Sequence, residues 1–596
     1  MLEPSTFPLG RVRILLLVAI TTIPGFVFCR VVEAQSSSKS SSPASAYQRG
    51  LAAISAGDLA KAQTELEQAV KANPRNADAQ LALGKVLLEK GDIGTALEHL
   101  RAATKLKPNS AQAHLGLGQA LLAANQADAA IRELKQAAQL SPQDAEPHGM
   151  LARVLSAQGK NQEALTEARA AVALAPKSAA AHDDLGSLLA QAGQFDDAES
   201  QFRLALEMDP QFEPARFHLG VVWLQRGNIA EARKELTTAT ELNPRDGLAY
   251  FYLGDACQKA GDKDAALADY QQAATLLPDS PMVQSKLGMM LQRTTDVAGA
   301  TNAFRKVTEL TPGDPEAHNN LGLVLMQRGE GEASVKEFQE AIRLRPDDAA
   351  FHGNLGMSYL QLLNFKEAEQ QLREAINMAP NDASLHYDLG LALKLNDKLP
   401  EGMAEMRKAI ELDPTLVDAY YTLGITLWQL GEFPASVEQL RKAIALKPDY
   451  AEAHYTLGTV LKQMNQLAEA AQALREAIRI QPGFAPAHTT LAAVLRQMGD
   501  TAGAQAESEL GNTLAKEKTD LQGATFATNS GKRLLNAGDL DGAIAQFRNA
   551  IKLAPSYAEA HYQLALALSR KGEQAAAAEE FHQAAALDPK LKSTPN

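Results

Sequence analysis

The sequence predicts an all-α solenoid, a stack of helix–turn–helix units, on three observations. Prolines recur from residue 74 to residue 482 at an unbroken interval of 34, and the same interval separates 555 from 589. Small residues hold fixed places on two helix-length segments within each period. A glycine separates those segments in most copies. A fixed period of this length marks a supersecondary unit that cannot bury its apolar face alone, so neighbours must stack. The composition agrees: 596 residues exceed a single core, and 45% hydrophobic with 5% aromatic content suits Ala- and Leu-rich helices.

With the proline set as position 32, sixteen copies start at residues 43, 77, 111, 145, 179, 213, 247, 281, 315, 349, 383, 417, 451, 485, 524 and 558. In the first helix (A), positions 4, 7, 8 and 11 share one stripe. Position 7 is Leu except at Arg49 and Ser530, and position 8 is Gly in thirteen copies and Ala at 152, 492 and 565. In the second helix (B), positions 20, 24 and 27 share a stripe. Position 20 is Ala except at Ser334, Gly402 and Ser436, and position 24 is usually large. Small residues at 8 and 20 let the helices approach, and the bulky residue at 24 fills the space left.

Position 15 is Gly in eleven copies and Asn at 125 and 465, the left-handed residue expected to end helix A. Proline at 32 stops helix B. Asn76, Ser110, Asp144, Ser178, Asp246, Ser280, Asp314, Asp348 and Asp382 then stand where the next helix A needs a cap.

The array has one fault. Pro482 and Pro555 are 73 residues apart, and copy 14 has Lys516 in place of the proline, with Ser508 and Gly511 at packing positions. The polar segment 506–522 reads as an overlong helix B, with 519–523 as a five-residue insertion. Five extra helical residues turn the chain by about 500°, a net of about 140°. The array is therefore read as copies 1–14 over 43–518 and copies 15–16 over 524–591, the last two forming a rotated or hinged block or, alternatively, continuing the array past a tolerated insertion, followed by a tail, 592–596.

The N-terminus differs. Arg11 and Arg13 precede an apolar run from Ile14 to Phe28, and Val32 and Ala34 are small residues at −3 and −1 of a cleavage after Ala34. This describes a secretory signal over 1–34 and a Ser-rich leader over 35–42. The chain is thus expected in the periplasm or outside the cell, with a membrane anchor over 14–32 as the alternative. The net charge of −13 argues against non-specific attraction to nucleic acid or anionic lipid. Two cysteines, Cys29 and Cys257, supply no disulfide framework.

The Leu-Gly at positions 7 and 8, Ala at 20 and 27 and Pro at 32 resemble the tetratricopeptide repeat family over residues 43–591. The resemblance implies a right-handed superhelix whose concave groove, lined by helix A, holds an extended peptide or a partner helix. Stretches such as Ala317 to Gly322 resemble the repeat region of O-linked N-acetylglucosamine transferases, whose catalytic half has no counterpart in this sequence.

No P-loop, G-x-S-x-G, H-E-x-x-H or C-x-x-C motif occurs, and the expectation is a protein without catalytic residues, cofactor or metal. Nine of the twelve histidines occupy position 4. Successive copies stand about 10 Å apart, too far for one ion to be shared, so these histidines read as packing residues.

The variable positions 5, 9, 12 and 13 of helix A point to binding. Copies 11–13 place Tyr387, Tyr421 and Tyr455 at position 5, with Ile425 at 9, Lys394, Trp428 and Lys462 at 12, and Gln429 and Gln463 at 13. Tyr combines apolar area with a polar tip, and Gln both donates to and accepts from a peptide backbone. This is the expected partner-binding stripe, with Phe217, Gln225 and Phe251 as a second candidate. The expected partner is a protein or peptide. Alternatives are a recruitment subunit of an enzyme complex and a carbohydrate- or cell-wall-binding protein whose aromatics stack on sugars.

Overall fold

The computed structural model describes residues 45–591. The signal segment, the Ser-rich leader and the tail from 592 lie outside the described residues. The chain divides into two compact units between Leu310 and Thr311. Among the described residues there are 31 helices and no strand. The first unit runs from helix Ala46–Ser55 to helix Val297–Leu310, and the second from Pro315–Gln327 to Gln574–Leu587. Within each unit, every helix A packs on its own helix B, and helix B on the helix A that follows. The all-α solenoid expected from the period is the fold observed.

The turn chemistry is obeyed throughout. All sixteen position-15 residues have positive φ, including Thr295, Leu363 and Asp397, where the sequence offers neither Gly nor Asn. All nine predicted caps accept a backbone N–H at the start of the next helix A. At Tyr450 and Phe484 the cap bond is absent. There the ring packs instead on the position-5 tyrosine of the same copy, Tyr421 at 4.8 Å and Tyr455 at 5.0 Å between centroids.

The core follows the size rule. Leu or a ring at position 24 is fully buried in most copies, among them Leu134, Phe202, Tyr270, Phe338 and Phe547. A Cβ added at Gly186 would stand 2.6 Å from Phe202 Cε1, and one at Gly220 would stand 2.6 Å from Leu236 Cγ. Where position 8 is Ala152 or Ala492, position 24 has shrunk to Ala168 or Ser508. The third alanine, Ala565, is paired with Phe581, which is only half-buried in the last copy.

The five-residue fault is absorbed inside one helix of 36 residues, Thr501–Asn536, capped by Asp500 through the Gly503 N–H at 2.9 Å. It serves as helix B of copy 14 and helix A of copy 15. Its ends pack on Ala485–Met498 and Leu540–Leu553. From residue 512 to 522 every side chain is exposed except Leu514 and Asp520, which are half-buried.

Candidate functional site

The position-4 histidines are fixed by hydrogen bonds rather than by apolar packing alone. In seven copies Nδ1 approaches a Glu or Gln oxygen at position 23 and Nε2 approaches the carbonyl oxygen of the preceding proline. His386, for example, lies 2.6 Å from Glu405 and 3.0 Å from the Pro380 oxygen. Gln80, Arg216 and Gln284 donate to the equivalent proline carbonyl from the same position. Each side chain thereby ties the start of helix A to helix B and to the incoming chain. Cys257 is buried, and burial together with Asp269 pushes its thiol up to about 11, which keeps it protonated at neutral pH.

The outer stripe of helix A divides into interlocking and accessible parts. Position 5 or 9 of one copy reaches position 6 of the next. Asp183 Oδ1 lies 2.8 Å from His218 Nδ1, Asn354 donates to Asn319 at 2.8 Å, and Lys286 donates to Asp255 at 2.9 Å. Tyr387 joins this ladder through Thr422 Oγ1 at 3.3 Å. In copies 11–13 the three tyrosines are half-buried, with Tyr421 and Tyr455 held by the Tyr450 and Phe484 rings. Trp428 Nε1 donates to Gln463 Oε1 at 2.6 Å. Ile425, Lys394 and Lys462 are half-buried, and Gln429 and Gln463 are exposed. The predicted stripe residues all lie in the second unit, on helices Ala383–Leu395, Val417–Gln429 and Ala451–Gln463.

The second candidate does not form a ligand surface. Phe217 and Phe251 are 8% and 3% exposed and pack with Tyr252 and Tyr270 inside the core, leaving only Gln225 exposed. The reason is local: His218 and Tyr252 at position 6 place rings beside position 5, and the phenylalanines close against them.

Two charged features escaped the sequence reading. Asp388, at position 6 beside Tyr387, has its carboxyl pushed up to about 7 by burial and then by Asp382. Asp184 is pushed up to about 6 by burial, with Arg153 acting against the rise. Nearby, burial alone would lower His218, but the Asp183 carboxylate outweighs it and raises the imidazole. Position 6 varies freely among copies, so only packing reveals which acids are desolvated. Among the described residues no group of His, Cys, Asp and Glu is arranged to hold a metal ion.

Models described as tetratricopeptide repeats match residues 247–280, 323–362, 354–416, 421–483, 531–572 and 558–591. A model described as the C-terminal domain of cilia and flagella-associated protein 70 matches 29–249. Among solved structures, the APC/C hetero-tetramer Cut9–Hcn1 is similar over 75% of this chain and 95% of that chain, at 15% identity and a TM-score of 0.36. PilF of Pseudomonas aeruginosa is similar over 35% of this chain and 94% of that chain, at 21% identity and a TM-score of 0.32. YrrB, described as a TPR protein with an unusual peptide-binding site, is similar over 31% of this chain and 95% of that chain, at 25% identity and a TM-score of 0.27. Comparison with curated protein sequences gives no match.

Proposed function

The chain belongs to the tetratricopeptide repeat family, whose repeats point to a protein–protein interaction scaffold, and we propose that it binds an extended peptide or partner helix along helix A of copies 11–13. One observation carries the placement. Interlocking consumes positions 5 and 6, whereas the half-buried Lys394 and Lys462 and the exposed Gln429 have no side-chain hydrogen-bond partner among the described residues. The Trp428 edge stands among them. The Gln463 oxygen is taken by Trp428 of the preceding copy, but the Gln429 amide and the two ammonium groups are not needed to close the repeats, so their polar capacity is available to a ligand.

We further propose that the scaffold acts outside the cytoplasm, in assembly of an envelope complex. The support is the basic start, apolar run and small residues before Gln35. N-terminal sequencing of the chain recovered from the cell envelope tests this: Gln35 as first residue supports export, and an intact Met1 in the cytoplasm ends it.

A photo-crosslinking residue at Gln429, compared with one at Glu438 on helix B, tests the binding face. Glu438 is likewise exposed. A partner captured from 429 and not from 438 is expected. Equal capture from both places would remove the helix A stripe as the binding face.

A further inference from the structure

The charge along that stripe specifies the ligand. At position 12 none of the first ten copies carries a charged residue, from Ile54 and Leu88 to Met326 and Leu360. Copies 11–14 then carry Lys394, Trp428, Lys462 and Arg496, after which Leu535 and Ser569 return the position to neutrality. All four lie on the second unit, on helices Ala383–Leu395, Val417–Gln429, Ala451–Gln463 and Ala485–Met498. Among the described residues the three cations have no carboxylate partner. Lys394 shows the consequence: burial lowers its pKa, and no anion offsets the loss of water.

The acids of the same helices do not neutralise the strip. Asp388 stands six residues before Lys394, about 9 Å along the axis, and burial pushes its carboxyl up. Glu452 stands ten residues before Lys462, about 15 Å along the axis, and Asp418 is as far from Trp428. Each distance exceeds a Debye length of about 8 Å at physiological salt. Nearer acids lie in the turns at Asp397, Glu432 and Asp500, and Asp500 is committed to capping the next helix. The strip is therefore a row of separate cationic contacts, not a broad positive field.

The spacing selects a chain-like partner. Successive copies advance about 10 Å, which an extended peptide covers in about three residues. Lys394 to Lys462 is two copies and Lys462 to Arg496 is one. We propose that copies 11–14 bind an extended acidic segment of a partner protein, with carboxylates about six and then three residues apart and an apolar side chain between the first two, against Trp428. Gln429, Gln463 and Gln497 at position 13 stand beside the cations to meet the peptide backbone.

This inference rests on the proposed binding face, and the test separates the two. The full chain is titrated with a labelled peptide of about twelve residues carrying Glu in that spacing, and with its Gln counterpart. The expected result is binding of the Glu peptide that weakens as salt is raised, with the Gln peptide and a Lys394→Gln, Lys462→Gln, Arg496→Gln variant each about tenfold weaker, as three exposed ion pairs allow. Circular dichroism confirms that the variant is folded. Equal binding of both peptides, or of neither, overturns the acidic specificity while a crosslink from Gln429 still supports the face. Tighter binding of a sulfated polysaccharide than of the Glu peptide also overturns it, in favour of a glycan. Loss of the Gln429 crosslink removes both readings.

Discussion

His488 Nδ1 lies 2.6 Å from Glu507 Oε2, and its Nε2 lies 2.9 Å from the Pro482 carbonyl oxygen. A neutral imidazole donates to one of these acceptors and only the doubly protonated ring donates to both. The pair holds copy 14 closed where the large residue at position 24 has become Ser508. His488→Ala removes both bonds and strands a carboxylate, so it should cost about 2–3 kcal/mol. His148, which bonds only Glu167 and is more exposed, should cost about 1 kcal/mol on the same change. Hydrogen exchange of the amides in 485–498 and 145–157 reads each local loss, because a repeat array opens in parts. Equal losses at the two sites would refute the two-bond account.

Positions 8 and 24 vary together, which predicts a rescue. In copy 4, Ala152 is paired with Ala168, where other copies pair Gly with a bulky residue. Ala168→Leu alone should overpack this copy by about 1–3 kcal/mol, and Ala152→Gly in the same chain should recover most of it. A double-mutant cycle by urea unfolding measures the coupling. Additive losses would show that the two positions do not share space.

Leu363 ends its helix A with φ +62° and is 70% exposed. A non-glycine residue held in the left-handed region costs about 1–2 kcal/mol. The side chain gains little in return. Leu363→Gly should therefore stabilise copy 10 by about 1 kcal/mol, seen as slower exchange in 349–361. The gain is partly offset by the entropy of glycine in the unfolded chain, and a destabilised variant would mean that the exposed leucine packs better than its exposure suggests.

Much of this was legible in the sequence. The proline interval placed every hairpin. Position 15 located each left-handed turn, including Leu363, through register rather than residue type. The nine polar caps follow from Asp, Ser or Asn two residues after nine of the repeat prolines. The position-4 histidines are buried or half-buried, as packing residues on the apolar stripe should be, and their hydrogen bonds were readable too: Glu or Gln recurs nineteen residues later in eight of the nine copies, His454 with Ala473 being the exception. That pairing was a readable signal. The burial of Phe217 and Phe251 was not readable, because position 5 faces outward in copies 11–13 and is closed by neighbouring rings in copies 6 and 7. Desolvation of Asp388 depends on the same three-dimensional crowding.

Asp388 and Asp184 set a pH dependence. Their folded values, about 7 and about 6, lie above the ordinary 3.8. The folded state therefore binds more protons than the unfolded state between about pH 4 and 7, and stability falls as pH rises through that window. Asp388→Asn abolishes its share. The variant should be more stable than the wild type at pH 8 by on the order of 1 kcal/mol, allowing for water on the stripe, and equal to it below about pH 4. Urea midpoints at the two pH values decide the sign. A variant less stable at pH 8 would show that the carboxylate has an anchoring role.

The helix 501–536 should be a place where the array can be cut without unfolding either side. Positions 21 and 28 of helix B bury or half-bury apolar residues in the preceding copies, Val437 with Ile444 and Ala471 with Ile478. In copy 14 they are Gln505 and Asn512, both exposed. On the other side, Ser530 replaces the leucine of position 7, as Arg49 does in the first copy. Both faces are thus built as ends, the polar outer surfaces that terminal repeats require. Proline inside a helix costs about 3 kcal/mol through its missing N–H and ring clash. At Thr519, that penalty falls on a stretch whose side chains are exposed except for the half-buried Leu514 and Asp520. Thr519→Pro should leave exchange protection in 485–498 and 540–587 at wild-type levels, while protease cleavage within 512–522 rises several-fold and the angle between the blocks broadens in scattering. Loss of protection in 540–587 would mean instead that the last two copies fold only as an extension of the preceding array, and that the long helix transmits stability across the fault.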